Sequence, residues 1–278
     1  MKILVLLLFI VFTLTSCKKD EIPTVTPKLR NCSIQYLLLF EDIQWLNSGN
    51  QIIVDPNDTT GALFSYTYTE EKITRSTGGF SAIPSGSNFS TLLFSKDTYD
   101  SIHYEGSSIY TYTKWEYLNT ILESQFNPAI YTLDSHKRLL TIFKRDGFRP
   151  EGYALTYTYS DNLITETNPK GQISRKFFFE NNNLVKVITE YYDPQGILGM
   201  EKEIVFMGFD DKPNPFKNLY YLNGAFYRAF SENNYKNYTI REYFVLADGT
   251  TTPLGTYTSY AWPITYNADG YPMFGDYE

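Results

Sequence analysis

The chain has two histidines, His103 and His136, and neither has a second ligand at metal or triad spacing. It contains no His-x-x-x-His, Cys-x-x-Cys or Gly-x-Ser-x-Gly. Metal-assisted hydrolysis and serine-type acyl transfer therefore lose their support, and the expectation is no metal, no cofactor and no catalytic residue of those kinds. Carboxylates are the chemistry that remains. Glycoside hydrolysis needs only two of them, about 5 to 10 Å apart, and the 31 acids include Glu70-Glu71, Glu201 with Glu203, and Asp210-Asp211. The first and last pairs read as turn residues. Glu201 and Glu203 share one strand face, where solvated charge is ordinary. Asp210-Asp211 lacks the ligand-at-every-second-residue pattern of a calcium loop. Aromatic rings are the other lead, with 25 Tyr, 20 Phe and 3 Trp. Exposed rings mark binding patches, whereas tyrosines at alternate strand positions serve cross-strand pairing. Trp45, Trp115 and Trp262 are thus the rings expected to contact a ligand.

The elements that would position these groups are strands. Phe64 to Thr69, Tyr110 to Thr113 and Leu155 to Tyr159 alternate with period two, and β-branched and aromatic residues favour a pleated surface. Between such runs lie turn clusters: "DSHK" at Asp134, "SDN" at Ser160, "NPKG" at Asn168, "NNN" at Asn181, "DPQG" at Asp193, "DDKPNP" at Asp210 and "NADG" at Asn267. Asn and Asp bond their own backbone and tolerate left-handed conformations, so these clusters predict antiparallel hairpins. The fold class is all-β: repeated antiparallel hairpins forming a large twisted meander sheet or an open barrel or sandwich, with at most one or two short helices. One segment departs from period two. Between Pro213 and Asn233, Leu219, Leu222, Phe226 and Phe230 are spaced for one helical face, which predicts a short helix or helical turns across the sheet.

The N-terminus supplies an address. A basic start, an apolar run from Ile3 to Leu14 too short to span a bilayer, and "LTSC" ending at Cys17 make a secretory signal. Leu14-Thr15-Ser16-Cys17 resembles the bacterial lipobox, which implies cleavage after residue 16, lipidation of Cys17 and lasting attachment to a membrane. Residues 17–30, with Pro23, Pro27 and polar neighbours, read as a flexible tether, and 31–278 as a single all-β domain. Lys18-Lys19-Asp20-Glu21 resembles the charged signal that sends Bacteroidetes lipoproteins to the outer face of the outer membrane. Removing 16 residues leaves 278 − 16 = 262, and the charge moves from 24 − 31 = −7 to 23 − 31 = −8. An acidic chain without a basic stripe is a poor partner for nucleic acid. With Cys17 acylated, Cys32 has no intramolecular partner and reads as a small buried hydrophobe. Asp58-Thr59-Thr60 and Asp100-Ser101-Ile102 resemble the Bacteroidetes O-glycosylation acceptor, at Thr59 and Ser101.

The hairpins also resemble one another. "YTLDSHKRLLTI", "YTYSDNLITET", "FFFENNNLVKV" and "ITYNADGYPMF" each pair an aromatic strand with a polar turn and an apolar restart, clearest over 125–278. Such a unit buries its face only against neighbours, with Tyr157 and Phe178 taken as its inward rings. The pattern resembles a degenerate YD repeat, although most copies lack its Gly and there are too few to enclose a cargo. "FDDKPNPF", then "SENN", then "YNADGYP" are similar to a family of Bacteroidetes lipoproteins with a YD-like domain of unknown function. The resemblance implies an all-β fold and an envelope location, and no catalytic residue. The functional expectation is a non-enzymatic, surface-anchored binding or scaffold protein whose partner is a glycan or an envelope protein. The alternative is a polysaccharide or peptidoglycan hydrolase using paired carboxylates.

Overall fold

The computed structural model describes residues 28–37, 51–54, 61–85, 88–117, 120–123, 128–146 and 149–277. Their strands are β1 (Asn31–Ser33), β2 (Gln51–Val54), β3 (Leu63–Thr69), β4 (Lys72–Ser85), β5 (Asn88–Glu105), β6 (Ser108–Tyr117), β7 (Thr120–Glu123) and β8 (Ala129–Leu133). They continue as β9 (Leu139–Asp146), β10 (Arg149–Ser160), β11 (Leu163–Thr167), β12 (Ile173–Glu180), β13 (Asn183–Tyr192), β14 (Leu198–Met207), β15 (Asn237–Val245) and β16 (Thr251–Ala261). All belong to one sheet, which runs β1-β3-β4-β5-β6-β8 and then in chain order to β16. β7 adds antiparallel to β6, and β2 lies parallel to β5. The molecule is the expected all-β meander. The path does not close, because β16 does not pair with β1.

The turn chemistry explains the hairpins. At Asp134, Asn168, Asp193, Leu246 and Asn267 the first N–H donates to the carbonyl four residues on, while the fourth N–H donates back to the first carbonyl. This is the three-residue hairpin loop, a type I turn followed by a left-handed residue. Asp134, Asn168 and Asn267 reinforce it by accepting backbone N–H groups two and four residues on. Gly171 takes the left-handed place with φ 78°, and Lys137 takes it in the β8–β9 turn with φ 62°.

In the β8–β9, β10–β11 and β12–β13 hairpins the leading rings Tyr131, Tyr157 and Phe177 point into the core. Phe178 does not. It is half-buried on the other face, with the Lys186 ammonium 4.7 Å from its ring centroid. Three phenylalanines in a row satisfy either phase of a period-two pattern, so the inward one was not readable from sequence.

No α-helix occurs among the described residues; Ile34–Tyr36 and Arg228–Phe230 form single 3-10 turns. Over 213–233 the backbone makes successive short turns, with the N–H of Leu219, Leu222 and Ala225 each donating three residues back. Left-handed residues at Asn218 and Gly224 interrupt any longer helix. The apolar spacing still served its purpose, since Leu222, Phe226 and Phe230 are buried and Leu219 packs against them. Beyond β16 the chain returns to β1. Arg30 N–H donates to Asp276 O at 2.7 Å, Ser33 N–H to Phe274 O at 3.0 Å, and Leu29 bridges Tyr277. The core lies between the sheet, the 213–233 segment and this C-terminal strap.

Candidate functional site

The three motif stretches singled out above meet in space. Asp210 accepts Asn234 N–H at 3.0 Å and Asn234 Nδ2 at 3.1 Å, and its Oδ2 accepts the Tyr266 hydroxyl. Burial and the Asp210 hydrogen bond both push the Tyr266 phenol upward. Asn214 donates to the carbonyls of Arg228 and Ser231, and Asn183 exchanges hydrogen bonds with Asn233 at 2.8 and 3.1 Å. Asp210 is thereby occupied in tying Asn234 to Tyr266 of the strap, while Asn183 at the start of β13 holds Asn233. Neither acid of the Asp210-Asp211 pair is free for chemistry on the inner face, since Asp211 points to solvent beside Lys212.

Two arginines are buried in the same core. Arg175 on β12 pairs with Glu166 on β11, its direct cross-strand partner, with both Nε contacts at 2.9 Å. Glu166 also accepts the Tyr157 and Ser174 hydroxyls, so its lone pairs are satisfied. Arg228 has no carboxylate partner among the described residues. Its Nε donates to Tyr36 O at 2.7 Å and its guanidinium lies 3.9, 4.9 and 5.2 Å from the rings of Tyr235, Phe274 and Trp262. Its Nη2 has no hydrogen-bond partner among the described residues. Cys32 is fully buried nearby; burial pushes its thiol up to about 12, and the Arg228 charge offsets only part of that.

A cavity of about 440 Å³ opens between the sheet and the 213–233 segment. Thr98, Asp100, Thr111 and Thr113 supply its polar wall, and Tyr220 and Tyr221 face them. Successive core-facing positions of β5 and β6 carry these short hydroxyl and carboxyl chains, leaving room that larger residues would fill. A bulge at Gly78-Gly79 forms another wall from bare backbone. A Cβ on Gly79 would sit 2.4 Å from Thr98 Cγ2, and one on Gly78, where φ is 111°, 2.8 Å from Phe94 Cζ. Burial holds the Asp100 carboxyl above the usual carboxylate range, against the pull of the Thr113 hydroxyl that donates to it at 2.6 Å.

A second cavity of about 440 Å³ lies on the far side of Tyr221, which lines both. The Tyr104 hydroxyl donates to Ile73 O at 2.9 Å and so accepts the Tyr221 hydroxyl at 2.7 Å. That phenol pair forms the partition. Burial pushes the Tyr221 hydroxyl well above its ordinary range.

Trp262 is not among the described lining residues of either cavity. It is half-buried and packs at a tilt against Tyr235 and Tyr238, with centroids 5.9 and 5.2 Å apart, at the margin of the core. Trp115 lies on β6 with Leu122 as its Cα partner. Ser101 is half-buried in the middle of β5, between Arg75 and Tyr112, rather than in a turn. Cys17, Trp45 and Thr59 lie outside the described residues. His103 is exposed and packs edge-on against Tyr112, and His136 sits in the β8–β9 turn. Among the described residues no group of three His, Cys, Asp or Glu side chains converges. Sequence reasoning missed Tyr220 and Tyr221 as lining rings because they fall in the segment read as a core cover. The run of threonines at alternate positions, Thr111 and Thr113, was the available signal.

The sequence matches no protein-family model, and no curated protein matches it. Among solved structures the chain is similar to a porin-like protein from Bacteroides uniformis, with 11% identity, a TM-score of 0.36, and coverage of 71% of this chain and 86% of that one. It is also similar to a porin-like protein from Bacteroides vulgatus, with 9% identity, a TM-score of 0.38, and coverage of 78% and 87%. Likeness at this level says nothing of activity.

Proposed function

We propose that this chain is a non-enzymatic binding or scaffold lipoprotein of the outer membrane, anchored through Cys17, exposed at the cell surface and related to YD-like hairpin domains. In this reading the hydroxyl-lined cavity captures a polyhydroxylated ligand of the glycan class. The observation that carries it is that cavity: Thr98, Thr111, Thr113 and Asp100 opposite Tyr220 and Tyr221. A sugar presents hydroxyls along its edge and C–H groups on its face, and a site with convergent polar groups and aromatic surface suits both. The described lining holds one carboxylate, Asp100, where glycoside hydrolysis needs two. That favours binding over the hydrolase alternative.

The test is a glycan array followed by titration calorimetry with the wild type, Thr113→Val and Tyr220→Ala. Binding that weakens in both variants supports the reading. A glycan bound equally by all three, or hydrolysed during the titration, overturns it. Anchoring has a separate readout: Cys17→Ser should move from washed membranes to the soluble fraction, and retention there with its fatty-acid label intact would refute the anchor.

A further inference from the structure

We infer that the second cavity is a binding site for a single-chain amphiphile with an anionic head, a carboxylate or a phosphate on an aliphatic tail. Its walls are aliphatic, with Leu29, Ile73, Ile109, Leu133 and Leu219 among them, unlike the threonine wall across Tyr221. Its rim is basic in an acidic protein: Lys28, Lys72, Lys137 and Lys217 against Glu71 and Asp134.

Both carboxylates are already engaged. Glu71 is turned outward with 77% of its side chain exposed and pairs with Lys28 at 3.2 Å. Asp134 accepts two backbone N–H groups of its turn and pairs with Arg138 at 2.6 Å. Lys217 pairs with Glu232 at 3.1 Å, and a pair this exposed is weak. Lys72 lies 5.1 Å from the Tyr104 ring centroid, and neither Lys72 nor Lys137 has a carboxylate partner among the described residues. Two ammonium groups are therefore available at the mouth of an apolar cleft. An anion gains there because the low-dielectric wall strengthens its attraction to them. A neutral sugar gains little from leucine and isoleucine. The volume falls within the range of small-molecule pockets, about 300 to 1,000 Å³. This site stands whatever the ligand of the first cavity is.

The test is calorimetry on the full chain with dodecanoate, dodecyl phosphate, dodecanol and dodecyltrimethylammonium, each below its micelle concentration. The two anions should bind at one site, with the neutral and cationic analogues weaker by about tenfold or more. Lys72→Ala combined with Lys137→Ala should lose about tenfold for the anions and little for dodecanol. Lys72→Glu combined with Lys137→Glu should reverse the preference toward the cation, which a misfolded variant could not do. Asp100→Asn, in the first cavity, should bind the anions as the wild type does. A preference for carboxylate over phosphate, or the reverse, identifies the head. Equal binding of all four analogues, no binding by any, or anion affinity unchanged in the double alanine variant would overturn the site.

Discussion

Arg175 and Arg228 occupy the same core and are stabilised in opposite ways. Arg175 is neutralised by Glu166 from the neighbouring strand, and the carboxylate is itself saturated by Tyr157 and Ser174. Arg228 has no carboxylate partner among the described residues and is held by carbonyls and three rings. The ion pair of the first is local, between adjacent strands nine residues apart, although Arg175 also reaches the Phe226 ring and the Tyr227 hydroxyl. The second joins segments that are distant along the chain: the 3-10 turn after β1, the 213–233 segment and the C-terminal strap. A buried ion pair is cheap to replace as a unit and costly to halve. A cation stacked on aromatic faces exploits the weak hydration and planarity of guanidinium, which Lys does not share.

The largest expected effect tests the first half of that contrast. Glu166→Ala should cost about 3 to 5 kcal/mol, because it strands a buried charge. Glu166→Leu with Arg175→Met should recover most of it in urea unfolding. If the double variant is as unstable as the single, the pair is not a self-contained unit. Arg228→Met comes next. It leaves the Tyr36 and Tyr235 carbonyls without their donor and should cost about 1 to 3 kcal/mol, with Arg228→Lys no better than Met. A loss equal to that of Glu166→Ala, or rescue by Lys, would erase the distinction.

Asp100 offers a further case, a half-buried carboxyl that accepts the Thr113 hydroxyl. Its folded pKa is raised above the unfolded value, so its contribution is fully present below the unfolded pKa and is lost as pH rises through the folded one. Asp100→Asn mimics the protonated form. Its melting temperature should gain on the wild type as pH rises above the ordinary carboxylate range. A difference independent of pH would mean that the carboxyl is not titrating in that window. The smallest effect separates backbone from charge. Gly171→Ala meets no atom within 4 Å yet sits at φ 78°, and should cost about 1 kcal/mol. Lys137→Gly at the equivalent turn position should gain no more than that by the same measurement.

The hairpins were legible because their signals are local: an Asp or Asn that bonds its own turn, followed by a residue able to go left-handed. The all-β class followed from period two for the same reason. Convergence was not legible. Asp210 reaches Asn234 and Tyr266 across 24 and 56 residues, and nothing in the spacing of those motifs announces that they meet. Tyr220 and Tyr221 read as core cover, and they are buried, yet both line the first cavity and Tyr221 lines the second as well. Trp262 read as a ring expected to contact a ligand, and its described contacts are with Tyr235, Tyr238 and Arg228. A period-two pattern fixes which residues share a face but leaves its phase open, which is why Phe177 rather than Phe178 turned inward.

The bridge between Leu29 and Tyr277 places the two ends of the described chain side by side. Joining them by a short linker would make a ring at little cost in loop closure. New termini could then be cut into an exposed tip such as residues 194–196, where few backbone bonds are lost. The sequence order of this sheet is thus separable from its spatial order, and a permuted chain beginning at β14 and ending at β13 should rebuild the same seam.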